Sequence, residues 1–446
     1  MKFKAGTRRR ALEYEKDLVV QWKKNKTFEK SVEMRPKDNS YVFYDGPPFI
    51  SGSPHHGTLL SSIIKDIVPR YQTMQGKRVE RVWGWDCHGL PAERFTEKKL
   101  GIHSREEVLE YGIEKYIKAC RENMVQTSSE WEDTVDRIGR WVDFKGAYKT
   151  MDKDYMESIW WAFKELYEKG KIYEGEKVLM YCTLDATPLS KAEVTMDAGA
   201  YQDVTDPSVY VKFKLTDQDA YLLAWTTTPW TLPANTAVAV NADVEYAEVT
   251  IDGQKLILAK ELLDNVLTDE KHQVLEYKVE RTLKGSELVG VSYEPLFADR
   301  GKNAHKVWNA DYVTTESGTG IVHLAPAYGE EDFDSAREKG IPVVHVIDEN
   351  GHYTEGDWTG QNVWEANKPI AKELHERGVV WKIEYYRHSY PHCHRCGTRL
   401  MYRAHPSWFM DIDSQREQML QQNGSVNWFP SHVKNGRFAK TIEQAP

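Results

Sequence analysis

Apolar and polar positions change rhythm along the chain, and each rhythm predicts an element. From 11 to 30, Leu12, Leu18, Val19 and Trp22 fall on one stripe among Lys and Glu, the pattern of an amphipathic helix. Residues 34–40 hold Pro36, Asp38 and Asn39 and read as a loop. Tyr41-Val42-Phe43-Tyr44 is a short continuous apolar run, the mark of a buried parallel strand. After a turn-rich stretch at 45–54, Leu60, Ile63, Ile64, Ile67, Val68, Tyr71 and Met74 recur at three and four, which predicts a helix from about 57 to 74. Pro69 lies inside it, where a proline should kink a regular helix at a cost of about 3 kcal/mol. A second strand is expected at 79–85, and residues 104–170 read as mainly helical.

Strand, loop, helix, strand is a βαβ unit, so the first segment is expected to be a doubly wound, parallel, Rossmann-like α/β sheet. The texture changes near 195. Short β-like runs at 209–213, 221–225, 237–240 and 255–259, punctuated by turn residues, predict a large β-rich domain interrupting that sheet. Helical patterns return near 331–338 and 364–377. The expected division is 1–194, 195–386 and 387–446, the last returning to the first domain. No internal repeat or low-complexity segment is seen.

Composition narrows the class. The 446 residues are 40% hydrophobic and 28% charged, ample for large cores. Fifty-nine basic and 68 acidic side chains give a net charge of −9, which argues against nonspecific nucleic-acid binding over the whole surface but allows a local basic track. No apolar run is long enough to span a membrane. The basic start at 1–10 gives way to Glu13, Glu15 and Asp17 rather than an apolar stretch, so no secretory signal is expected, and the cytoplasm is the expected compartment. Of five cysteines, Cys87 and Cys120 stand alone, Cys393 and Cys396 form a C-x-x-C pair, and Cys182 is distant. That suits a reducing compartment and a metal rather than disulfides.

Candidate chemistry lies first in the loop 47–58, which leaves a strand and opens a helix, where free backbone N–H groups and the helix dipole favour anions. Gly57 allows close backbone approach, and His55 and His56 can donate to phosphate oxygens. By themselves these are more simply read as a pair of surface histidines beside a proline turn, since four residues are a weak signal. Their surroundings weigh the other way. The stretch from Pro47-Pro48 to Pro54-His55-His56-Gly57-Thr58 resembles the H-x-G-H signature of class I aminoacyl-tRNA synthetases, and Gly84-Trp85-Asp86-Cys87-His88-Gly89-Leu90-Pro91-Ala92-Glu93 resembles the segment that marks their isoleucyl branch.

The resemblance runs through nearly the whole chain and implies a reaction: ATP, with Mg2+, activates isoleucine, and the acyl group passes to tRNA(Ile). It implies that His55 and Gly57 meet ATP, that Asp86 holds the substrate ammonium and that Pro47 lines the amino-acid pocket. The signature's last histidine is Thr58 here. A threonine donates one hydrogen bond without charge, so either His56 substitutes or adenylation is slower.

Trp225-Thr226-Thr227-Thr228-Pro229-Trp230-Thr231-Leu232-Pro233-Ala234-Asn235 and the segment from Gly318 to Asp332 together resemble the family's proofreading site. Three threonines alone would be ordinary strand residues. The resemblance implies that Asp332 anchors the ammonium of a wrong amino acid, that Thr226, Thr227 and Thr228 orient ribose and water, and that His323 lines the pocket, with Asn235 a further candidate. No serine or cysteine nucleophile with a base is evident, so an oriented water is the expected attacker. Cys182, Asp185, Cys393 and Cys396 are candidate ligands of a structural zinc, Asp185 standing where the family carries a cysteine; His392 or His394 could complete the set, or the cysteines could be reduced and unliganded.

No K-M-S-K-S-like loop and no anticodon-binding domain is found, so this polypeptide is not expected to make isoleucyl-adenylate alone at a useful rate. A monomer is expected. The competing readings are a free-standing deacylase that edits in trans, a noncatalytic RNA-binding protein, and a small adenylyltransferase. The second is opposed by the acidic balance. The third leaves 195–385 unexplained.

Overall fold

A computed structural model describes residues 9–445 apart from 51, 192, 196–198 and 270, and does not describe the side chains of 125–128. The basic start at 1–8 and Ser51 of the turn-rich stretch therefore lie outside the described residues. The chain forms two compact units that meet in sequence at Ile172 and Tyr173. The positions expected as boundaries, 194/195 and 386/387, both fall within the second.

The first unit runs α1 (Ala11–Asn25), α2 (Thr27–Glu33), α3 (His56–Met74), β1 (Val82–Trp85), α4 (Leu90–Leu100), α5 (Arg105–Tyr111), α6 (Ile113–Arg137), β2 (Asp143–Lys149) and α7 (Lys153–Glu168). β1 and β2 pair in parallel, with α4 to α6 as their crossover. β2 is a strand inside the stretch expected to be mainly helical. The extended chain before α3 joins through isolated parallel bridges, Ser40 to Arg78 and Phe49 to Asp86. The run 41–44 is therefore not the buried strand expected. Val42 is 69% and Tyr44 91% exposed, while Tyr41 and Phe43 are half-buried. That alternation marks an edge with one covered face, which a four-residue apolar run cannot announce.

The core of this unit is aromatic. Trp83 lies 5.3 Å from Trp85 and 5.9 Å from Trp131, ring centre to ring centre. Trp131 of α6 also donates its indole N–H to Gly52 O at 2.6 Å, which ties the loop before α3 to that core. α3 is continuous across Pro69, which is buried; nothing in its surroundings explains why a proline is accepted there. The helix turns Ser62, Pro69 and Thr73 inward and leaves its apolar stripe exposed, Leu60 by 62% and Ile67 by 59%. Buried guanidinium groups account for the hydroxyls facing inward. Arg140 donates to Ser62 Oγ at 2.9 Å and Arg81 to Thr73 Oγ1 at 2.6 Å, and a buried cation without acceptors is costly.

The second unit runs β3 (Ile172–Cys182), β4 (Thr187–Leu189), β5 (Tyr201–Lys214), β6 (Tyr221–Thr226), β7 (Ala237–Val240), β8 (Glu245–Ile251), β9 (Gln254–Ala259), α8 (Leu263–Val266), β10 (Lys278–Lys284), α9 (Gly285–Leu288), β11 (Lys306–Asn309), β12 (Val322–Leu324), α10 (Glu330–Lys339), α11 (Val363–Glu376), β13 (Val380–Pro391), β14 (Leu400–Met410), α12 (Arg416–Asn423) and α13 (Ala439–Glu443). A six-stranded mixed sheet has the order β10-β8-β9-β6-β5-β13; beside it stand a three-stranded sheet, β11-β7-β12, and another, β14-β3-β4. Each β-like run expected in this unit is a strand: β5, β6, β7 and β9. β10 was not expected, since Lys278-Val279-Glu280-Arg281-Thr282-Leu283-Lys284 is mostly charged and exposed.

β6 ends at Thr226 because Pro229, three residues on, has no N–H for a ladder and opens a 3-10 turn, Pro229–Ala234. The fully buried β7 pairs antiparallel with β12, placing His323 opposite Val238. Gly320, just before β12, holds φ at +71°, and a Cβ there would fall 2.5 Å from Ala259 Cβ. Gly356 has φ at +81° with open space around it. Gly320→Ala should therefore lower the unfolding free energy by about 2–3 kcal/mol in urea melts, and Gly356→Ala by about 1 kcal/mol; equal losses would show that the close approach at Gly320 does not matter.

Candidate functional site

The first candidate site surrounds the start of α3. His55 is the N-cap residue, and Thr58 closes the first turn: its Oγ1 accepts from His55 N–H at 3.0 Å and donates to His55 O at 2.8 Å. A Cβ at Gly57 would press the His55 ring, 3.1 Å from Cε1, so the glycine leaves room for the imidazole to fold over the helix start. His55, Gly57 and Thr58 border a cavity of about 230 Å³ together with Asp45, Gly46, Pro48, Ser61, Ser62, Lys65, Trp83, Trp131 and Arg140. At its base the buried Asp45 carboxylate pairs with both Lys65 and Arg140. Lys65 also donates to Gly46 O at 2.9 Å. Sequence reasoning passed over this ionic group, because Asp45, Lys65 and Arg140 are too far apart along the chain to form a motif.

Not every expected residue joins that cavity. Among the described residues, Pro47, His56 and Asp86 are not part of its lining. Asp86 sits beside the same loop through its backbone, donating to Pro48 O at 2.9 Å and accepting from Ile50 N–H at 3.0 Å. Its carboxylate caps its own turn, accepting from His88 N–H at 3.4 Å.

The second candidate site lies in the second unit. At the end of β6, Thr226 Oγ1 and Thr228 Oγ1 are 3.2 Å apart, and Thr228 N–H donates to Thr226 Oγ1 at 3.1 Å. Thr228 Oγ1 also lies 3.4 Å from Thr231 Oγ1, which is 2.8 Å from His323 Nε2. His323 Nδ1 faces Asn235 Nδ2 at 3.3 Å, and Tyr293 donates to Asn235 Oδ1 at 2.7 Å. Two threonines of the run, His323 and Asn235 thus belong to one hydrogen-bonded chain. Thr231 and Tyr293 complete it; the first stood in the quoted motif without a role, and the second carries no local signal at all.

Asp332 is reached by the adjoining segment. Trp230 of the 3-10 turn meets Tyr328 edge to face at 5.7 Å, and α10 begins directly after. Asp332, in the first turn of α10, accepts from Ala325 N–H at 2.9 Å. Gly329 admits this return, since a Cβ there would fall 2.8 Å from Asp332 Oδ2. Burial pushes the Asp332 carboxyl up to about 6, despite the Ala325 hydrogen bond that favours its charged form. Burial also pushes His323 down to about 4, so its ring is neutral near pH 7. A carboxylate held at such a cost would be favoured by a cationic group, and hydroxyls of this kind can exchange hydrogen bonds with a polar ligand.

The four expected metal ligands come together. Ligand atoms of Cys182, Asp185, Cys393 and Cys396 all lie within 4.8 Å of one another. Cys182 Sγ is 3.4 Å from Cys396 Sγ, and Cys393 Sγ is 3.3 Å from Asp185 Oδ2. A tetrahedral zinc with Zn–S bonds near 2.3 Å puts sulfurs about 3.8 Å apart, so the group needs only small shifts to fit one. Neither His392 nor His394 belongs to the group among the described residues; His392 Nδ1 lies 2.9 Å from Tyr390 O.

Residues 17–446 match the family described as tRNA synthetases class I (I, L, M and V). The chain belongs to this family. Among similar curated proteins, the isoleucine–tRNA ligase of Treponema denticola is 44% identical over 97% of this chain and 42% of its own length, and that of Corynebacterium diphtheriae is 46% identical over 97% and 43%. The chain therefore spans about two-fifths of the length of the relatives it matches. Among solved structures, that described as the crystal structure of GlLeuRS-CP1 is similar at a TM-score of 0.34 and 16% identity, covering 40% of this chain and 98% of that one.

For this class I synthetase chain, the Asp332 carboxyl carries a stability signature. Its folded value near 6 lies above the ordinary 3.8, so its contribution is fully present below about pH 3.8 and is lost as pH rises through 6. His323 has the opposite sign, losing stability as pH falls from 6.5 towards 4. Asp332→Asn isolates the first effect, because an amide oxygen can still accept from Ala325 N–H. The variant should be more stable than the parent by about 2 kcal/mol at pH 7, with the gap closing between pH 6 and pH 4 in denaturant melts. A gap independent of pH would contradict a carboxylate destabilised by burial.

Proposed function

We propose that the chain carries the ATP-and-isoleucine half-site and the proofreading module of an isoleucine–tRNA ligase. The observation that carries this reading is the second site: threonine hydroxyls, a neutral imidazole and a buried carboxylate on adjoining segments of one β-rich unit. Such a module answers a physical limit. One methylene is worth only about 1–3 kcal/mol in a hydrophobic pocket, a figure for which isoleucine against valine is the standard illustration, so valine passes the first site often enough to need removal.

In this reading Asp332 binds the ammonium of the misattached valine, which restores the charged form that burial disfavours. The Thr226, Thr227 and Thr228 hydroxyls hold the terminal ribose and the attacking water, and His323 lines the amino-acid pocket. In the first unit, a Rossmann-like parallel sheet presents the α3 start to ATP, with His55 and Gly57 at its phosphates and Mg2+ as the accompanying ion. Asp86, beside the same loop, takes the isoleucine ammonium, and Pro47 lines that pocket. Thr58 is occupied in closing the helix turn, which leaves His55 and His56 as the polar side chains of the signature free to meet a nucleotide.

Segments 1–194, 195–386 and 387–446 are read as the divided catalytic domain and its editing insertion, in a monomeric, cytoplasmic enzyme that acts on tRNA(Ile). The cysteine cluster holds a structural zinc, which would cross-link the start of the insertion to its end. Among the described residues no helix is long and apolar enough to cross a membrane.

Two measurements test the proposal. The 446-residue chain should deacylate Val-tRNA(Ile) without ATP, and Asp332→Ala should slow this about 10–100-fold, the worth of one charge-assisted bond. Equal rates would remove Asp332 from the site. Mass spectrometry of metals should find one zinc per chain, and Cys396→Ser should lose it; a metal-free parent chain purified without chelator would leave the cluster as plain thiols.

A further inference from the structure

The hydrogen bonds around His323 fix which of its nitrogens carries the proton. Thr231 has one hydroxyl hydrogen. Its Oγ1 lies 2.9 Å from Thr228 O, a carbonyl that can only accept, so the hydrogen is spent there. Only oxygen lone pairs then remain towards His323 Nε2 at 2.8 Å, and Nε2 must be the donor. The other side of the ring agrees. Asn235 Nδ2 lies 2.8 Å from Ala237 O, again an obligatory acceptor, so the amide nitrogen and not the oxygen faces that way. The second hydrogen of that NH2 group has two acceptors in reach, His323 Nδ1 at 3.3 Å and the more distant Leu324 O at 3.5 Å. The Nε2–H assignment from Thr231 leaves Nδ1 with its lone pair and the shorter contact, so Nδ1 is the acceptor. Asn235 Oδ1, turned the other way, receives the Tyr293 hydroxyl at 2.7 Å.

We propose that Thr231 and Asn235 are positioning residues that clamp His323 as its neutral Nε2–H tautomer, with Tyr293 holding Asn235 in place. Both ring nitrogens are then committed within the protein, and neither offers a lone pair to water. His323 is therefore a shaped wall of the pocket and not the base of the hydrolysis. The same clamp couples the wall to the substrate-facing hydroxyls, because Thr231 Oγ1 lies 3.4 Å from Thr228 Oγ1 as well. The ring is buried and pushed towards its neutral form by desolvation, which agrees with a clamp that has no place for a second proton.

The functional consequence rests on the editing reading; the tautomer does not. The full chain, labelled with 15N-histidine, is examined by long-range nitrogen–proton correlation spectra, with the His323 signals assigned by their loss in His323→Gln. The parent chain should show a protonated Nε2 and a bare Nδ1, unchanged from pH 8 to pH 5. Asn235→Asp keeps the size but offers only acceptors, so it should move the proton to Nδ1 and slow deacylation of Val-tRNA(Ile) about 10-fold. Tyr293→Phe keeps the aromatic packing and should leave the tautomer in place. A bare Nε2 or a doubly protonated ring in the parent chain above pH 5 overturns the clamp, whatever the variants do. A parent chain with the Nε2–H pattern and no deacylation upholds the clamp and removes the editing reading instead.

Discussion

The pairing of β5 with β13 is the constraint on which the second unit depends. The two strands run antiparallel from Tyr201 opposite Pro391 to Val211 opposite Val380, and Ser208 bonds to Glu384 across 176 positions of sequence. Closing so long a loop is entropically unfavourable, and a ladder of this length, backed by the buried face of β5, offsets it. Much follows from that closure. Cys393 and Cys396 follow β13 and Cys182 ends β3, so the ladder returns the chain to where a metal cluster can form. The six-stranded sheet it completes is the floor from which β6 delivers its threonines.

A second constraint governs the polar groups enclosed there. Thr226, Thr231, Asn235 and His323 are each at least nine-tenths buried, and each finds a hydrogen-bond partner. A satisfied network inside a core is rigid, since any side chain that turns leaves a buried partner unpaired. Asp332, which bonds to Ala325 N–H rather than to that network, is held at a cost, its carboxyl raised by burial with no ion pair to a cation among the described residues. Groups kept in unfavourable ionisation states are concentrated where ligands bind, which is why the proposed reading places a substrate ammonium against Asp332.

How much of this was legible in the sequence depends on the kind of signal. The threonine run, the glycine-flanked His323 and Asp332 stand in compact motifs; the structure links Thr226, Thr228, His323 and Asn235 through hydrogen bonds, while Asp332 bonds separately to Ala325 N–H. The cysteine cluster assembles with Asp185 as its fourth member, although the spacing alone left His392 and His394 open. β5, β6, β7 and β9 were legible because their buried runs are apolar. What failed has a common cause. Periodicity gave α3 its length but not the face it buries, because Ser62 and Thr73 are drawn inward by Arg140 and Arg81, residues distant in sequence. The run 41–44 looked like a central strand, because four apolar residues say nothing about which flanks are covered. Tyr293 and the Asp45, Lys65 and Arg140 group carry no local pattern at all; only tertiary structure makes them neighbours.

The proposed role of the second unit is tested most directly by a crystal structure of the chain with a non-hydrolysable valyl-adenosine in which an amide replaces the ester. The valyl ammonium should lie within hydrogen-bond distance of the Asp332 carboxylate, with ribose oxygens against Thr226, Thr227 or Thr228 and the valyl side chain facing His323. An analogue bound elsewhere, or bound with its ammonium turned away from Asp332, would contradict the account.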